Sequence, residues 1–230
     1  MRLQIKPKNQ KTKQELFLAL LLIIILISIS TAAICGEIKE GCFKEPDITP
    51  TATEPNFFTE APNPETVEEQ IYRLLLQYEI SPAGACGILA NAKAESDLCP
   101  NNLENFYNRK FNATDTEYTN LVDKGEIDFV HDAAGYGLWQ FTYYSFKQVL
   151  FDTAKSNRTS VSDVKTQVEA LVKILKTPEF SKLFKFLKEA SSPENAAKEF
   201  MLIFERPANQ SESAITARAA FATEFYKNFN

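Results

Sequence analysis

GILANAKAESDLCPNN, residues 87–102, holds a single glutamate, Glu95, near the end of an alanine-rich run. Ser81 and Pro82 just upstream read as an N-cap and a first helical position, so a helix is expected to begin there. The small residues Ala83, Ala85, Ala90, Ala92 and Ala94 allow neighbours to pack closely on all sides. At helical spacing Glu95 shares a mostly apolar face with Ile88, Ala92 and Asn91. A carboxyl placed there, just before a Pro-Asn-Asn loop, is desolvated on one side and open on the other. Desolvation raises a carboxyl pKa and keeps a proton available, which is what a general acid needs. The alternative is an ordinary surface glutamate.

Outward from this stretch the periodicity is helical almost throughout. Asn63-Pro64 reads as the start of a helix with Val67, Ile71, Leu74, Leu75 and Tyr78 on one face. Between Leu103 and Ala134 the pattern weakens: either Asp115 caps a short helix closed by Gly125, or Asp123-Lys124-Gly125 turns a small hairpin. Helical faces return at Phe146–Ala154, Val164–Leu175 and Phe180–Leu187. They recur after the Ser192-Pro193 cap and at Ile215–Tyr226. The expected fold is all-α, or α+β with a minimal β element, over residues 63–230.

The first 62 residues differ in character. Five basic residues precede Phe17–Ala33, an uncharged apolar run expected to act as a signal peptide or membrane anchor within residues 1–33. With the basic tail cytoplasmic, the remainder is exported, to the outside of the cell or the outer face of the membrane. Residues 34–62, rich in Pro and Thr, read as a linker. The first 33 residues carry five of the 25 basic and one of the 30 acidic residues, so the rest of the chain has a net charge of −9. That balance argues against a nucleic-acid binder. Four cysteines in an exported chain suggest two disulfides among Cys35, Cys42, Cys86 and Cys99. A Cys86–Cys99 pair is geometrically borderline, because a helix from Cys86 to Ser96 climbs roughly 15 Å. Asn112, Asn157 and Asn209 head N-glycosylation tripeptides.

The second unusual stretch is HDAAGYGLWQFTYY, residues 131–144. Gly135 and Gly137 flank Tyr136 and mark a backbone that turns tightly or is approached by a ligand. Gln140, Tyr143 and Tyr144 supply hydrogen-bonding groups and flat faces suited to sugar rings, and Asp132 a second carboxylate. A turn leading into a core-packed Trp139 is the alternative.

Together, a helix ending in Ala-Glu-Ser and a following Gly-aromatic-Gly-Leu-x-Gln turn resemble the lysozyme-like superfamily, which includes goose-type lysozymes and lytic transglycosylases. The chain is most similar to phage tail-tip lysozymes, at residues 88–102, 129–156 and 204–213, then Arg218-Ala219-Ala220. The resemblance implies cleavage of the β-1,4 MurNAc–GlcNAc bond of peptidoglycan glycan strands, with Glu95 as general acid. It implies Asp132 as the water-positioning carboxylate, with Asp97 and Asp128 as alternatives. Candidate substrate contacts are Ser96, Gly135, Tyr136, Gly137, Gln140 and Tyr143. Glu205-Arg206-Pro207 is expected to close a helix end with an ion pair near the cleft. No cofactor or metal is expected, since one histidine and dispersed cysteines lack ligand spacing. Two rivals stand beside this: a cysteine peptidase or amidase pairing Cys86 or Cys99 with His131, and a non-catalytic wall-binding domain.

Overall fold

The structure, a computed structural model, describes residues 65–230. The apolar run, the Pro/Thr linker, Cys35, Cys42 and the Asn63-Pro64 cap lie outside these residues. Among the described residues no helix is long and apolar enough to cross a membrane.

Among the described residues nine α-helices follow one another, and the only β feature is an isolated antiparallel bridge between Leu103 and Tyr136. α1 (Val67–Gln77) starts at Thr66, whose hydroxyl and the Glu69 carboxylate form a reciprocal capping box. α2 (Pro82–Ser96) begins at the expected Ser81 cap with proline at its first position, and ends where Asp97 turns left-handed. α3 (Asn105–Phe111) was not legible in the weakly patterned stretch. α4 (Asp115–Asp123) is capped by Thr114 rather than Asp115, again through a capping box, and is a helix rather than a hairpin. α5 (Tyr144–Asn157), α6 (Val164–Leu175) and α7 (Ser181–Glu189) follow. α8 (Pro193–Phe200), capped by Ser192, runs on into a π-helical turn, Met201–Glu205. α9 (Glu212–Phe229) closes the chain.

α2 is the axis of the fold. Every residue from Ala83 to Ala92 is buried, because α1, α7, α8 and α9 all pack on it. Apolar residues all round a helix are what such central burial requires. Small side chains set how closely the neighbours approach: Ala90, Ala197 and Ala222 meet where α2, α8 and α9 converge. At Gly87 a methyl group would lie 2.5 Å from Ala196 Cβ and 2.6 Å from backbone atoms of α8. Gly87→Ala is therefore expected to destabilise the protein by about 1–3 kcal/mol through overpacking. Thermal or denaturant unfolding measures this, and an unchanged midpoint would contradict the close crossing of α2 and α8.

Cys86 is buried within α2 and free, so the Cys86–Cys99 pair is not formed. Burial pushes its thiol up to about 12. The one histidine, His131, is on the surface, with Nδ1 3.0 Å from Asp128. A buried thiol without a thiolate and an exposed histidine bound elsewhere do not make the nucleophile–base pair of a cysteine peptidase at Cys86.

Candidate active site

Glu95 occupies the last turn of α2, with its side chain 20% exposed. Its Oε1 accepts a hydrogen bond from Arg218 Nη2 of α9 at 2.5 Å. The guanidinium is itself fixed by Asn91, one turn back on α2, whose Oδ1 accepts from Arg218 Nε at 3.0 Å. Asn91 Nδ2 in turn donates to the carbonyls of Gly87 and Ala197. The buried asparagine on the Glu95 face thus ties α2, α8 and α9 together behind the carboxyl.

Glu95 opens onto a cavity of about 320 Å³ lined also by Glu104, Gly135, Gln140, Thr142, Glu205 and Pro207. That volume lies at the lower end of the range for small-ligand sites. On its Gly135 side the chain is locked by a reciprocal pair: Glu104 N donates to Gly135 O at 2.9 Å, and Gly135 N donates to Glu104 Oε2 at 3.1 Å. Gln140 Nε2 donates to Asn102 O, Asn102 Oδ1 and Gly137 O, holding the turn against the end of the loop after α2. A methyl on Gly135 would sit 2.9 Å from Gln140 Oε1, so glycine is what lets this wall close up. A smaller adjoining cavity is lined by Gln140, Thr142, Tyr143, Phe204 and Glu205 among others, and Tyr143 is exposed at its edge.

Of the residues singled out in the sequence, Glu95, Gly135 and Gln140 come together in the main cavity, and Tyr143 lies beside it. Three others serve the framework. Ser96 is buried, and its hydroxyl donates to Ala92 O and Leu138 O, pinning the end of α2 to the glycine turn. Tyr136 is fully buried with its hydroxyl 2.6 Å from Thr119 Oγ1. Gly137 has φ +80° and donates to Asn102 O, and any side chain there would strike Gln167. Trp139 is packed in the core, with Nε1 donating to Ile88 O.

Asp132 also lies away from the cavity lining. It is 7% exposed and ion-paired with Lys147, whose side chain is fully buried. Its carboxylate also accepts from the Tyr118 hydroxyl and from Ala134 N. Lys147 Nζ further donates to Ala134 O and stands 4.3 Å from the centre of the Phe129 ring. Burial lowers the Lys147 pKa, against the pull of Asp132. This clasp shapes the turn that carries Gly135.

Glu104 and Thr142 are lining residues that the motif reading did not place there, whereas Glu205 and Pro207, expected near the cleft, are both in the lining. Glu205 ends the π-helical turn after α8. It forms no pair with its neighbour: Arg206 turns to Ile203 O and Glu179 instead. Burial, reinforced by the Glu95 charge and opposed by Arg218, pushes the Glu205 carboxyl well above the usual carboxylate range. Its one sequence signal was an acidic residue at a helix end in the third similar segment. Among the described residues no cluster of His, Cys, Asp and Glu could hold a metal ion.

A family model described as phage tail lysozyme matches residues 66–229, which is nearly all of the described chain. No curated protein matches the sequence.

Proposed function

Because the chain belongs to the phage tail lysozyme family, we propose that it cleaves the β-1,4 bond between MurNAc and GlcNAc in peptidoglycan, with Glu95 as general acid. The observation that carries the assignment is that the end of α2, the glycine turn and the segment after α8 meet at one cavity, with Glu95 in its wall. Glu95 would protonate the leaving sugar oxygen while the C1–O bond breaks. The incoming nucleophile is water in a hydrolase, or the substrate's own C6 hydroxyl in a lytic transglycosylase. Asp132 is engaged by Lys147, so the carboxylate available to activate water is Glu104, on the Gly135 side of the cavity. We assign Gln140 to hydrogen bonding with the sugar and Tyr143 to stacking at its edge. By the same reading the domain acts outside the cell, behind the basic and apolar N-terminal segment.

Digestion of purified peptidoglycan by the full-length protein, with mass spectrometry of the fragments, tests this. Glycan fragments are expected; release of stem peptides alone would overturn it. A product one water lighter, the anhydro sugar, identifies the transglycosylase route. On the hydrolytic route Glu104→Gln is expected to lower turnover about 10²-fold or more, as loss of a general base does.

A further inference from the structure

Three carboxyls face the cavity, and two of them have partners. Glu95 is bonded to Arg218, and Glu104 accepts from Gly135 N. Glu205 differs: its Oε1 is buried and has no hydrogen-bond partner, although the residue lines both the main and the adjoining cavity. It stands at the last position of a π-helical turn, a backbone irregularity that recurs at functional sites. A buried carboxylate left unpaired is costly, whereas a neutral carboxylic acid avoids that cost and has a proton to give. Glu95 Oε1, by contrast, already accepts from Arg218 Nη2.

We infer that Glu205 holds, in the resting protein, the proton that Glu95 delivers to the leaving sugar oxygen, the two carboxyls forming a one-proton pair balanced by Arg218. This rests on the reading of Glu95 as the acid. The groups facing Glu205 are Glu95 from α2, Arg218 from α9 and Glu104 from the start of α3, while Arg206 is turned away to Glu179. The raised proton affinity of Glu205, caused by burial and then by the Glu95 charge, agrees with this arrangement. In turnover the pair gives one proton to the glycosidic oxygen as the C1–O bond breaks. The hydroxyl that adds to C1 gives up one proton, which the ionised pair takes from C6–OH on the transglycosylase route; on the hydrolytic route Glu104 takes it from water and the pair is reprotonated from solvent. Glu205 acts through Glu95 and is a positioning residue.

Gln is nearly isosteric with a neutral Glu, so a purely structural role would survive Glu205→Gln. In the full-length protein this variant is expected to lower kcat/KM on peptidoglycan at least about 10-fold, toward the range of lost general-acid catalysis. The alkaline limb of its pH–rate profile is expected at lower pH, because the carboxyl whose proton affinity burial raises is then absent. Activity within about two-fold of wild type with an unmoved alkaline limb would overturn the proposal. Glu95→Gln, assayed alongside, separates the two readings: its own loss of activity stands whatever Glu205→Gln does. A second measurement needs no folded Glu205 variant. The infrared band of a neutral carboxyl is expected in the wild-type protein at neutral pH, titrating at lower pH in Glu95→Gln once the repelling charge is gone. Absence of that band at neutral pH in the wild type would also overturn it.

Discussion

Glu95→Gln is expected to lose about 10²–10⁴-fold in turnover of peptidoglycan while remaining folded, since general-acid catalysis contributes on that scale. The amide keeps an oxygen that can accept from Arg218, and Asn91 still anchors the guanidinium. The framework behind the side chain therefore survives, and the change falls on the proton. Binding of glycan strands by the variant is expected to persist, because Gly135, Gln140 and Tyr143 are untouched. Turnover by folded variant, checked by its circular dichroism and melting, is the measurement. Retention of more than roughly a tenth of wild-type activity would move the acid to another carboxyl of the cavity.

The second large effect is on stability. Asp132→Asn removes the partner of a lysine with no exposed side-chain surface. Breaking a buried pair from one side costs about 3–5 kcal/mol. For a domain of this size that corresponds to a fall of roughly 6–20 °C in Tm. The sign of the pH dependence follows from Lys147. Without Asp132, burial favours its neutral form still more, while in the unfolded chain it stays protonated below about 10.5. As pH falls from there, the unfolded state gains and the variant loses stability. Activity of the folded variant at low temperature is expected within a few-fold of wild type. Unchanged Tm with activity lost would return Asp132 to the catalytic machinery.

The Ser81-Pro82 start of α2, its all-round burial and the placement of Glu95 near its end were legible because caps and small-residue runs are local signals. The glycine turn was legible as a turn, but not which of its side chains face outward. Tyr136 and Gln140 differ by four residues; one became core through Thr119 and the other cavity wall. That choice depends on α4, which the sequence pattern left open between helix and hairpin. Asp132 looked like a cleft carboxylate because its buried partner, Lys147, is a residue type rarely found fully buried. Likewise, Arg218 reaches Glu95 from 123 positions away, and no periodicity reports such a pairing. Glu205 was assigned an ion pair with Arg206, because an Arg beside a Glu suggests one. The π-helical turn rotates the two apart, and local propensity does not encode that turn.

The most direct measurement is a side-by-side digestion of one peptidoglycan preparation by full-length wild type and Glu95→Gln, with the released glycan fragments weighed and counted. The wild type is expected to release fragments cut between MurNAc and GlcNAc, and the variant at most about a hundredth as many. Equal release by both, or release of peptide stems with the glycan strands intact, would contradict it.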